Sequence, residues 1–212
     1  MACPICNKRK AKRLCPARAE SICTICCGTE REVTIDCPHD CEYLMASREY
    51  DAERQQLDAA DLPFADTKIG QGFLHDHEAL LTALDYALCK FAASHREVVD
   101  SDVRAALQNL AEGYRTLASG IYYEKPLDNP VQRSIAETLK SAIADFRKED
   151  ATRTGLTRLR DADIRDSLIF LTQFAAVRAN GRSKGRAFLD TLRHQFADEA
   201  FASSASSLLV LP

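Results

Sequence analysis

Residues 1–41 read MACPICNKRKAKRLCPARAESICTICCGTEREVTIDCPHDC, and eight of the chain's nine cysteines fall within them. Prolines stand at positions 4, 16 and 38, and apolar side chains show almost no periodicity. A core here is too small to fold by burial alone, so a crosslink or a bound metal must supply the missing stability. The chain opens without an apolar stretch ahead of a cleavage site, which is not the pattern of a secretory leader. The expected setting is therefore the reducing cytoplasm, where dense cysteines read as metal ligands rather than disulfides.

The spacing refines this. Cys3-x2-Cys6 and Cys23-x2-Cys26 are separated by sixteen residues, a zinc-site arrangement. Two thiolates in one tight turn grip one side of a tetrahedral ion, and a second turn closes the shell. Pro4 favours the first turn, and Gly28 lets the chain reverse after the second. Cys15, Cys27, Cys37 and Cys41 remain, the right number for a second ion. Cys37-x3-Cys41 suits the first turn of a helix, where residues four apart share a face. Side chains of neighbouring residues diverge, so Cys26 and Cys27 are assigned to different ions. His39 is an alternative ligand in the second set. An iron–sulfur cluster would use four cysteines and leave four over, and free thiols would leave the segment without a core. The expected cofactor is zinc, two structural ions.

Interleaved ligand pairs of this kind, Cys3-x2-Cys6, Cys23-x2-Cys26 and the closing Cys37-x3-Cys41, resemble cross-brace double-zinc modules such as the HIT-type and MYND-type fingers. The resemblance covers residues 3–41. It departs from those families in the isolated Cys15 and the doubled Cys26-Cys27. It implies a structural zinc platform used for contacts with protein or nucleic acid.

The rest of the chain is different in kind. Residues 45–200 hold one cysteine, Cys89, read as a small buried hydrophobe, and carry repeated helical periodicity. A polar connecting helix is expected from Cys41 to about Ala60, then Pro63 and a loop over Thr67–Gly72. Phe73, Leu80, Leu84, Leu88 and Phe91 mark one apolar face; Val103, Leu107, Leu110, Tyr114 and Leu117 mark the next. Asp100 or Ser101 is the expected cap of that second helix, and Gly120 its stop. Asn129-Pro130 is a cap followed by proline at the first helical position, with Val131, Ile135, Leu139, Ile143 and Phe146 behind it. Ile164, Leu168, Leu171 and Phe174 follow a start at Asp161 or Asp163. Phe188, Leu189, Leu192 and Phe196 belong to a last short helix. The fold class is mainly α: a Cys-rich double-zinc module at 1–44, an all-α bundle of about five or six helices at 45–200, and a tail at 201–212.

Net charge is −3, and no segment is apolar over the roughly eighteen residues a membrane span needs. The densest basic run is Lys8-Arg9-Lys10-x-Lys12-Arg13. It can meet phosphates, but it also offsets the negative charge of thiolate-bound zinc, and the second reading is favoured. Arg178, Arg182, Lys184 and Arg186 surround Asn180-Gly181, where an interhelical loop can either hold an anion or lie solvated. His75-Asp76-His77-Glu78 resembles a metal-ligand cluster without the second carboxylate–histidine pair that a di-iron bundle requires. No phosphate loop, dinucleotide fingerprint or nucleophile elbow is present, so no catalytic residues are assigned. The functional expectation is a non-enzymatic, zinc-binding interaction or regulatory protein whose partner is another protein. The alternatives are a nucleic-acid binder using Lys8, Arg9, Lys10, Lys12 and Arg13, and an enzyme with its site near His75, His77 and Glu78. Oligomeric state is not readable from the sequence.

Overall fold

The computed structural model describes residues 1–54, 58–117, 120–121, 123–155, 158–197 and 200–201. The expected tail, 201–212, lies outside the described residues except for Phe201.

The N-terminal segment is built on turns. Asn7 N–H donates to the Cys3 carbonyl and Cys3 N–H to the Arg9 carbonyl, each at 2.8 Å, with Asn7 in the left-handed region. Asn tolerates that conformation better than most residues. A hairpin follows that the periodicity did not reveal, its strands being too short to show alternation. Strand β1 (Arg13–Cys15) pairs antiparallel with β2 (Glu20–Ile22), with Arg13 opposite Ile22 and Cys15 opposite Glu20. Its inward positions, Cys15 and Ile22, are buried. Helix α1 (Thr24–Glu30) begins directly after Cys23, whose sulfur accepts from the Cys26 N–H at 3.4 Å.

Helix α2 (Glu42–Arg54) leads out of the cysteine segment, as expected of the polar connector, and a 3-10 turn spans Ala59–Asp61. The first apolar face is broken at His77 into α3 (Phe73–Asp76) and α4 (Glu78–Ser94). Then come α5 (Asp100–Leu117), α6 (Pro130–Thr154), α7 (Asp161–Arg178) and α8 (Ala187–Arg193). Helix α5 is central: it packs on α6, α7 and α8, while α4 packs on α6 and α8. Its inner face alternates Leu107 and Leu110 with Ala106 and Ala111, all fully buried, and the small residues let α7 approach closely. Leu84, Leu139, Ile164, Leu168 and Phe188 complete this core. The cysteine segment has its own small cluster around Ile22 and Ile35.

Local signals are realised where they are self-contained. Asn129 Oδ1 accepts from the Val131 N–H at 2.8 Å with Pro130 at the first helical position. Gly120 has φ +85° after α5. The Asp100 assignment is corrected. Helix α5 starts at Asp100 itself, and its buried carboxylate caps another helix, accepting from the N–H groups of Phe188 (2.9 Å) and Leu189 (3.1 Å) at the start of α8.

Candidate metal centre

Cys3 and Cys6 flank the first turn, Cys23 ends the hairpin and Cys26 sits in the first turn of α1. These elements bring the four sulfurs within 4.8 Å of one another. A tetrahedral zinc–thiolate centre with bonds of about 2.3 Å has sulfur–sulfur edges of about 3.8 Å; Cys6 and Cys23 Sγ stand 4.0 Å apart. No cysteine forms a disulfide, and three of these four are buried. The donor set fits a soft, thiophilic ion, and all four donors come from the chain.

The surroundings prepare the sulfurs for this. Burial raises the Cys3 pKa, but the N–H groups of Cys23, Cys6 and Ile5 outweigh it and the net shift is downward. The N–H groups of Lys8 and Arg9 bring Cys6 down to about 6. Burial, reinforced by the other three sulfurs, pushes Cys26 up to about 12. A cation at the centre would offset this mutual repulsion of the sulfurs.

Cys15, Cys27, Cys37 and Cys41 converge elsewhere. All four line one enclosed cavity of about 10 Å³, with Ile22, Ile35 and Tyr43. Cys26 and Cys27 do part, one toward each set. Among the described residues, however, no second group of three or more candidate ligands lies within 4.8 Å. Burial raises Cys37, with the charges of Cys41, Glu32 and Cys15 adding to it and the Glu32 N–H opposing. Two guanidiniums lie on Cys27: Arg13 Nη1 at 3.6 Å and Arg31 Nη2 at 3.8 Å. Arg31 carried no sequence signal beyond its charge. His39 is exposed and faces a different cleft.

The basic run divides. Arg13 turns inward, stacking over Tyr43 at 4.6 Å besides meeting Cys27. Lys8, Arg9, Lys10 and Lys12 are exposed and form no ion pair among the described residues.

The loop around Asn180-Gly181, with Gly181, Ser183 and Lys184 exposed, has a structural partner. It receives the cysteine segment. Arg182 Nη1 donates to the carbonyls of Arg31 (2.6 Å) and Gly28 (3.0 Å), and Lys184 donates to those of Glu32 through its backbone (2.8 Å) and Thr34 through Nζ (3.1 Å). Glu32 is the counterpart. It is 2% exposed, in the left-handed region at φ +51°, and accepts from Arg48 (2.7 Å), Asn180 (2.6 Å) and the Arg186 N–H (3.3 Å). Arg48 in turn reaches Asp190 of α8 at 2.6 Å.

The third group, His75, His77 and Glu78, is split. His75 and Glu78 line a cleft with Asp85, Phe170 and Gln195. His77 instead faces Asp163 at 3.8 Å and stacks on Phe73.

No family model matches this chain, and neither curated proteins nor solved structures yield a match. Among the described residues no helix is long and apolar enough to cross a membrane.

Proposed function

We propose that this chain is a non-enzymatic, zinc-stabilised interaction protein of a reducing compartment. In this reading Cys3, Cys6, Cys23 and Cys26 hold one structural zinc ion. Cys15, Cys27, Cys37 and Cys41 close around a second, with Arg13 and Arg31 balancing its charge. The observation that carries the reading is the completeness of the first tetrad: four protein thiolates leave a tetrahedral ion no open position for substrate. The interleaved order resembles that of cross-brace fingers of the HIT and MYND type, apart from the isolated Cys15 and the doubled Cys26-Cys27. Leu14 and Ile25, 64% and 51% exposed, are the apolar contacts offered to a partner protein.

The test is affinity capture with the metal-loaded chain and with Leu14→Glu/Ile25→Glu, which changes neither ligands nor core. A reproducible partner, or self-association, lost in the double variant is expected. An unchanged or empty capture overturns the proposal.

Exposure of Lys8, Arg9, Lys10 and Lys12 without acidic partners favours nucleic acid as the second reading. It requires an affinity that falls steeply between 50 and 200 mM salt and drops when these four are neutralised. No binding to RNA or DNA at low salt eliminates it.

A further inference from the structure

Seating the cysteine segment on the helical body creates a cleft of about 540 Å³ between them, within the size range of small-molecule sites, which favour such seams. One wall is loop 36–40. The other is the C-terminal part of α4, the turn after it, and α8. The floor is apolar and small: Ala92, Val98 and Leu189 contribute, with Phe201 at the edge. Small side chains on α4 are what leave the space.

The polar groups divide by whether the fold already uses them. Arg186 donates to the Val98 carbonyl at 3.0 Å and lies 3.8 Å from Asp36. Asp190 is held by Arg48 at 2.6 Å. Arg96 is exposed on the bundle wall and forms no ion pair among the described residues. Arg193, which already has a partner within the fold, closes the same wall. Across from them, His39 and Asp40 stand exposed at the mouth. The cationic side chains of this wall thus border an apolar floor, and two of the three acids that line the cleft face guanidiniums. A guanidinium offers a planar fork of donors suited to carboxylate and phosphate oxygens.

We propose that this cleft binds a small amphiphilic anion, with its carboxylate or phosphate head at Arg96 and Arg193 and its short apolar body over Ala92, Val98 and Leu189. The site is apart from the first tetrad, whereas Cys37 of the second set lies on its wall. It depends on the cysteine segment being seated, because loop 36–40 forms one wall.

The test is calorimetric titration of the metal-loaded full chain with hexanoate, hexyl phosphate, hexylamine and inorganic phosphate. Hexanoate or hexyl phosphate should bind one per chain, the better of the two naming the head group, while hexylamine and inorganic phosphate bind at least tenfold more weakly. Arg96→Ala, at an exposed position, should leave the melting temperature unchanged and weaken binding about tenfold, the loss expected for one charge-assisted contact. Ala93→Trp, on the exposed rim of the floor, should abolish binding by filling the cleft in a chain that still melts cooperatively. Binding that hexylamine matches, that survives Ala93→Trp, or that is indifferent to Arg96 overturns the proposal, as does no binding by either anion. An empty capture by the metal-loaded chain, or one unchanged in the double variant, with anion binding intact would refute the interaction reading and leave this one standing.

Discussion

Glu32 and Arg48 meet at 2.7 Å in the seam between the cysteine segment and the helical body, with only 2% of the Glu32 side chain exposed. Neither residue is a candidate ligand, yet the pair joins the segment that carries the cysteines to α8 through Asp190. Glu32 holds a left-handed backbone conformation that costs of order 1–3 kcal/mol for a residue other than glycine. Its three accepted hydrogen bonds offset that cost.

Glu32→Ala removes the acceptor of Asn180 and the Arg186 N–H and leaves Arg48 with Asp190 alone. Breaking one side of a buried pair costs about 3 kcal/mol or more. Urea denaturation of the metal-loaded chain should show a loss of that order, accompanied by faster proteolysis at residues 28–36. A loss under about 1 kcal/mol would mean the seam is held elsewhere.

Arg182→Ala leaves the carbonyls of Gly28 and Arg31 without their shared donor. An unsatisfied buried acceptor costs about 1–3 kcal/mol. Hydrogen exchange should accelerate at the seam, in 28–36 and 180–186, and stay unchanged in the middle of α6. Uniform acceleration throughout would contradict a local role.

Asp85 is buried beside the cleft of His75 and Glu78, and burial pushes its carboxyl up to about 7 against the opposing hydrogen bond from Gln195. Its neighbours there also include Cys89, one turn on along α4. A raised acid favours the folded state while protonated. Its contribution is complete below its ordinary value near 4 and is lost as pH rises through about 7. Asp85→Asn should therefore flatten the fall in stability between pH 5 and pH 8. It should stabilise the chain at pH 8 by about 1 kcal/mol or more, a pKa unit being worth about 1.4 kcal/mol. An identical pH profile for the two chains would refute the assignment.

Asn129→Ala removes the side-chain cap of α6 and should cost about 1 kcal/mol in thermal or chemical unfolding. Asn129→Asp should retain most of that, since it accepts the same N–H. Equal losses in both variants would show that the hydrogen bond from Asn129 to Asp102, 3.2 Å long, matters more than the cap.

The contrast between these residues shows what a sequence can disclose. Asn129-Pro130, the apolar faces of α5 and α7, and the parting of Cys26 from Cys27 are local, set by a few neighbours along the chain, and they were readable. The pairing of Glu32 with Asn180, 148 positions away, has no local trace. Asp100 looked like a cap for its own helix and caps α8 instead. Arg182 and Lys184 looked like a solvated or anion-binding loop because nothing nearby along the chain betrays the carbonyls they meet. The cysteine spacing brought the first tetrad together on paper as it does in space. Cys15, Cys27, Cys37 and Cys41 line one small cavity without forming a second close-set group among the described residues, and the place of Arg31 beside Cys27 depends on how α1 ends and the chain turns back.

Metal content of the purified chain, read by native mass spectrometry, tests the central claim most directly. The account predicts two zinc ions per chain, one retained in Cys23→Ser and one retained in Cys27→Ser. A chain that carries no metal, or a Cys23→Ser variant that keeps its full complement, would contradict it.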